Sequence, residues 1–129
     1  MASSSMQVEL VAADRLVWSG EATMVIARTT EGDIGVLAHH APTLSVMMPG
    51  VVQITTDGDS KRKAAVDKGF ISVAGNRVSI LAEHAELAED VDVSEARSDL
   101  EGAGAEDDED ANAAARAWAE ARLQAAEAS

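Results

Sequence analysis

Turn-forming residues punctuate the first two-thirds of this chain: Asp14, Ser19-Gly20, Glu31-Gly32, Pro49-Gly50, Asp57-Gly58, Lys68-Gly69 and Gly75-Asn76. The runs between them alternate in the manner of strands. Val8 and Leu10 flank Glu9, Leu16 and Trp18 flank Val17, and Met24 and Ile26 flank Val25. Strands of a few residues divided at such intervals predict an all-β sandwich or barrel; helices need longer uninterrupted segments. Two hairpins follow. Val51–Ile54 reverses at Asp57-Gly58 and returns over Lys61–Val66, and Phe70–Val73 reverses at Gly75-Asn76 and returns over Arg77–Leu81.

Between Glu83 and Asp90 the β-branched residues nearly stop and Ala, Glu and Asp take over. Asp92-Val93-Ser94-Glu95 has the form of a capping box, with Asp92 as N-cap and Glu95 placed to reach back. Val93, Ala96 and Leu100 give the helix that follows one narrow apolar stripe, and Gly102 and Gly104 end it. Glu106 to Asp110 is a run of five carboxylates, expected to be a solvated acidic linker. Asn112–Ala128 predicts a second, Ala-rich helix with Arg116 and Glu120 paired at i, i+4 and a weak apolar face of Ala111, Ala114, Ala115, Trp118, Ala121 and Ala125. The expected architecture is a mainly β fold with an α appendage. A β-sandwich of about ten strands spans residues 6–90, and a C-terminal two-helix hairpin spans 91–129 with its acidic linker at 106–110.

Composition narrows the function. With 47% hydrophobic residues but one Phe, two Trp and no Tyr, the core must be built from Val, Ile, Leu, Met and Ala. The absence of Cys removes disulfides, thiolate metal sites and cysteine nucleophiles. The net charge of −13 divides as −5 over residues 1–90 (seven Lys/Arg, twelve Asp/Glu) and −8 over 91–129 (three, eleven). So acidic a surface argues against nucleic acid and against direct contact with anionic lipid. No run approaches a membrane span, and Met1–Ser5 lacks the parts of a signal peptide, so a soluble cytoplasmic protein is expected.

Thr30–Leu44 holds Gly32, Gly35, Glu31, Asp33, the pair His39-His40 and Pro42. Gly32 and Gly35 are expected to serve backbone conformations closed to other residues. Ile34, Val36 and Leu37 need cover, while the acidic and histidine side chains face out. So punctuated a segment between strands reads as a site. Glu31-Gly32-Asp33-Ile34-Gly35 followed by His40-Ala41-Pro42 resembles the E-G-E-[IL]-G-[IV]…G-H-A-P-L signature of the epsilon subunit of F-type ATP synthases, and the order of the following strands matches too. Asp67-Lys68-Gly69-Phe70 resembles that family's connection between hairpins, with Lys68 in place of a usual glycine.

The resemblance implies a central-stalk rotor subunit with no active site of its own. Its sandwich would dock on the gamma subunit and the c ring, and its helical arm would regulate the alpha/beta catalytic head. It would thereby couple proton translocation to ATP synthesis at the cytoplasmic face of the cell membrane, touching the membrane only through the complex. By resemblance His40 faces the c ring, and Glu31 and Asp33 supply acidic docking charges of that same contact. One face of Val51–Ile54 and Phe70–Val73 is the expected gamma surface. Arg116 and Arg122 are the basic residues left to meet the head, behind a repelling acidic run, so a modest brake on ATP hydrolysis is expected. Many family members bind ATP through an I/L-D-x-x-R-A motif. Here Val91-Asp92-Val93-Ser94-Glu95-Ala96 keeps Asp92 and Ala96 but puts Glu95 at the arginine position, so weak or absent nucleotide binding is expected.

No nucleophile elbow or phosphate loop is present, and Gly32-Asp33-Ile34-Gly35 lacks the lysine and helix of a P-loop. His39 and His40 point to opposite sides of an extended chain and His84 is far off, so no metal site and no cofactor are expected. The carboxylate run has no turning scaffold for calcium. Two other classes stand beside the rotor reading: a free-standing nucleotide or ion sensor, and an unrelated β-sandwich adaptor.

Overall fold

In the computed structural model, which describes residues 5–56, 60–104 and 108–128, the alternating runs form ten strands in one continuous hydrogen-bonded array. These are β1 (Met6–Ala12), β2 (Arg15–Ala22), β3 (Met24–Thr29), β4 (Gly32–Leu37), β5 (Thr43–Met47), β6 (Gly50–Thr55), β7 (Lys61–Val66), β8 (Gly69–Ala74), β9 (Arg77–Ala82) and β10 (Ala85–Leu87). The order is β10-β7-β6-β3-β5-β8-β9-β1-β2, with β4 on β3. Only Thr29↔Met47 joins β3 to β5. There the array folds into two layers, and β10 comes back against β1 and β2.

All pairs are antiparallel except β1 with β9, which are parallel from Gln7↔Arg77 to Ala82 opposite Ala12. That register aligns Val8, Val78 and Val73 in one row and Leu10, Ile80 and Ile71 in the next. All six are buried, and with Val25, Val36, Val52 and Ile54 they form the aliphatic core expected of so few aromatics. The β6–β7 hairpin has its expected partners, and Thr56 N–H donates to Ser60 O (2.7 Å) at its neck; Asp57-Gly58 lies outside the described residues.

In β3 the buried residues are Val25, Ala27 and Thr29. One expectation needs correction: the segment Thr30–Leu44 is mostly not a loop. Gly32–Leu37 pairs along the whole of β3 as a hairpin, so Val36 is buried and Leu37 is left 57% exposed at the sheet surface.

After a 3-10 turn at Ala88–Asp90 come helices α1 (Val93–Gly102) and α2 (Glu109–Ala128). Asp92 caps α1 as expected, its Oδ1 accepting from Glu95 N–H (3.0 Å). Glu95, however, turns its carboxylate to Arg122, so the return half of the box is not made. The end of the acidic run enters the second helix. Asp108 caps α2 by accepting from Asp110 N–H (2.9 Å), and Glu109 and Asp110 form its first turn, where carboxylates suit the helix dipole. Glu106 and Asp107 lie outside the described residues. α2 packs on β6 and β7 through Trp118, Ala121 and Ala125 against Val51, Ala65 and Ala88. Ala114 and Ala115, expected on that face, are exposed.

Gly69 is fixed by a close approach: a Cβ there would lie 1.9 Å from the Leu81 carbonyl oxygen. Lys68 can replace a glycine because the crowding falls on its neighbour. Gly69→Ala is expected to lower unfolding stability in denaturant titration by at least about 2–3 kcal/mol. Gly35→Ala, with open space around it, should change stability by less than about 0.5 kcal/mol.

Candidate functional site: an apolar row, an acidic hairpin tip and a docked arm

The parallel β1–β9 register also decides what faces solvent. Val46 pairs with Phe70, Phe70 with Leu81, Leu81 with Val11, and Val11 with Leu16. The result is one cross-strand row of five apolar residues over five strands. Leu16, Val46, Phe70 and Leu81 are 47–59% exposed, and Leu44 at 72% extends the patch. A groove of about 430 Å³ runs along it, lined by Val11, Val46, Phe70 and Leu81 with Lys68 and Glu83 at its edge. On so charged a protein a contiguous apolar surface marks a docking face. Phe70 belongs to this row, whereas Val51 is covered by α2 and Val52 and Ile54 are core.

The glycine-rich signature builds a hairpin tip. Thr30 and Glu31 form the turn between β3 and β4, Gly32 takes φ +115°, and Thr29 Oγ1 donates to Gly32 O (2.7 Å) while accepting from Glu31 N–H (3.2 Å). Gly32 thus needs its freedom; Gly35 has an ordinary φ and lies in plain strand. Glu31 and Asp33 are exposed at this tip, Asp33 Oδ1 lying 3.7 Å from Arg28 Nε. His40 does not join them. Six residues of β4 intervene, about 17 Å of strand, and place it at the opposite end of the sandwich. There His39, at φ 66°, accepts a tie from the β8–β9 turn: its N–H donates to Asn76 Oδ1 (2.7 Å). The two histidines share no ligand atom position among the described metal-capable clusters.

Asp92, Glu95 and Ala96 lie on the first turns of α1, with Ala96 buried and Glu95 exposed at the helix surface. Arg97, on the same helix, is exposed, whereas Arg122 of α2 is buried. Its Nη2 donates to Glu95 Oε1 (3.0 Å), Nη1 donates to Asp99 Oδ2 (3.3 Å), and Nε sits 2.7 Å from Glu86 Oε1, off the N–H direction. Burial alone lowers the Arg122 pKa. The charges of Glu86 and Glu95 and their hydrogen bonds more than offset this and hold it above its ordinary value. Arg122 is therefore a tie between β10, α1 and α2, not an open cation for a partner. Arg116 is exposed and makes no ion pair with Glu120 among the described residues.

One cluster was invisible in the sequence. Asp67, Glu83 and His84 bring one ligand atom each within 4.8 Å of one another. His84 also lies against Trp118, ring centroids 5.6 Å apart. Seventeen residues separate Asp67 from His84, and the pairings of β8 with β9 and of β7 with β10 close that gap.

Among the described residues no helix is long and apolar enough to cross a membrane. The sequence profile of the family described as "ATP synthase, Delta/Epsilon chain, beta-sandwich domain" matches residues 5–88. The ATP synthase epsilon chain of Streptomyces avermitilis is 52% identical over 123 residues, covering 95% of this chain and 96% of that one. That of Thermobifida fusca is 48% identical over 130 residues, covering 98% and 95%. Among solved structures, a chain of the Euglena gracilis mitochondrial ATP synthase superimposes with a TM-score of 0.77 at 25% identity, over 99% of this chain and 82% of that one. A chain of the Tetrahymena thermophila mitochondrial ATP synthase central stalk and c-ring shares the fold, with a TM-score of 0.62 at 18% identity. With its sandwich matched along nearly its whole length and half its residues shared with full-length relatives, the chain belongs to the epsilon-chain family of ATP synthases, a rotor subunit with no active site of its own.

Proposed function

We propose that this subunit seats the Leu16–Val11–Leu81–Phe70–Val46 row against the gamma shaft and turns its β3–β4 tip, with Glu31 and Asp33, towards the polar loops of the c ring. The observation that carries this reading is the row itself: five apolar side chains in register on an acidic protein. A rotor contact must not slip under torque, which favours a buried apolar centre over screened charge pairs. Glu31 and Asp33 would then steer and orient rather than hold. His40 lies at the other end of the sandwich from this tip. The subunit would work at the cytoplasmic face of the cell membrane and reach it only through the complex.

The test is recovery from detergent-solubilised membranes of cells expressing tagged chain. The wild type should bring down a gamma-containing ATPase. Leu81→Asp, which puts a charge at the centre of the row, should reduce that recovery at least about tenfold while leaving the far-UV spectrum unchanged. Wild-type protein that stays folded and travels alone would overturn the reading in favour of an adaptor.

The arm reading rests on a second observation, the buried Arg122 cluster. In the docked state the hairpin is held by the protein's own carboxylates, with Glu95 filling the place where the family motif has an arginine. Calorimetric titration with ATP should show no saturation up to about 1 mM, and tighter binding would contradict this. Arg122→Ala should weaken hairpin docking by about 2–3 kcal/mol, below the cost of breaking a fully buried pair because Glu95 and Asp99 are half exposed. Limited proteolysis would then cut within residues 91–128 while sparing the sandwich. Because Arg122 is sequestered and only Arg116 is exposed on α2, truncation after Val91 should release only a small latent ATPase in the assembled enzyme.

A further inference from the structure

We propose that Asp67, Glu83 and His84 form a binding site for one borderline divalent cation of the zinc class. The site lies in two short links, Asp67-Lys68 between β7 and β8 and Glu83-His84 between β9 and β10. The links are locked to each other: Asp67 N–H donates to His84 O (2.9 Å) and Glu83 N–H donates to Lys68 O (3.1 Å). Asp67 is further pinned by Lys68 N–H donating to its Oδ1 (2.8 Å), which leaves Oδ2 aimed at His84 Nδ1, 3.1 Å away. Its side chain is 13% exposed, so the most buried ligand is also the most rigid. The scaffold is therefore preset by backbone pairing and needs little ordering when an ion arrives.

The distances fit. Two ligand atoms at about 2.0–2.2 Å from a tetrahedral ion stand about 3.3–3.6 Å apart. Oδ2 and Nδ1 need to part by only a few tenths of an ångström, the ion taking the place of the hydrogen between them. Glu83 is exposed and its carboxylate is free to swing the remaining distance inward. Charge fits as well: two carboxylates and a neutral imidazole balance a dication. An imidazole nitrogen among the donors favours zinc, cobalt or nickel over magnesium or calcium, which prefer all-oxygen shells. Three protein ligands leave at least one position for water.

The site is wired to the arm. The imidazole of His84 rests on Trp118 of α2, and an ion on Nδ1 would fix the ring that this helix packs against. Ion binding should therefore favour the docked hairpin.

The test uses the full chain stripped with chelator. Calorimetry with zinc chloride should give one saturable equivalent, weakened at least about tenfold by His84→Gln. That substitution changes a mostly exposed side chain and leaves the fold intact; Glu83→Gln is the second variant. In a Trp18→Phe background, nickel should quench Trp118 emission saturably, and His84→Gln should remove the saturable part. His39→Gln and His40→Gln should leave both signals unchanged. Absence of saturable binding up to about 1 mM zinc, or binding that survives His84→Gln, would overturn the proposal.

Discussion

The parallel pairing of β1 with β9 is the constraint from which the rest of the sandwich follows. Without it the β1–β2 hairpin would be detached from the other strands of the array. With it, the first strand lies beside a strand some seventy residues later, and β2 is carried round towards β10. Because side chains alternate across a strand, one register settles both faces at once. Leu10 beside Ile80 goes inward, so Val11 beside Leu81 goes outward. A slip by one residue would exchange the core and the docking row wholesale. The core and the exposed apolar row are thus properties of the same ladder, and neither can be varied far without the other.

How much of this could be read from the sequence follows from how local each feature is. Hairpins with their own turn residues were legible, as were the N-cap of α1 and the strand content. The Thr30–Leu44 segment was misread because its glycines looked like loop residues. Gly32 does need its positive φ, but Gly35 is a strand residue whose missing side chain faces open space. Counting them alike turned a strand into a loop. Pairings between distant segments left no local trace. Neither the apolar row nor the Asp67–His84 pair is visible until β8, β9 and β1 are laid side by side. Glu95 shows a subtler limit: its spacing from Asp92 fits a capping box, yet a buried guanidinium is a stronger claim on its carboxylate than one exposed amide.

The arm is held by an unusual mixture. Its apolar contact with the sandwich consists largely of alanines with one tryptophan, and alanine burial contributes little per residue. Such a contact leaves the ionic cluster to fix the helix in place. Arg122 touches carboxylates from β10 and α1 at once, so α2 cannot lift away without uncovering a charge and abandoning three others. Buried charge of this kind adds little to overall stability but discriminates sharply between one docked geometry and all others. The hairpin is thereby specified without being deeply anchored.

The acidity of the chain bears on both surfaces. A net charge of −13 repels copies of the subunit from one another, so an apolar row can stay exposed before assembly without self-association. The same repulsion acts within the molecule. Eleven of the carboxylates fall after residue 90, and two of them, Glu95 and Asp99, meet Glu86 of the sandwich around one guanidinium. Docking the arm therefore brings like charges together, and the fold answers by placing its cations at the seam: Arg122 between Glu86, Glu95 and Asp99, and Arg62 on Glu89 at 2.6 Å. The seam pairs are the counter-charge that the composition demands, and their small number is why each one matters to where the arm rests.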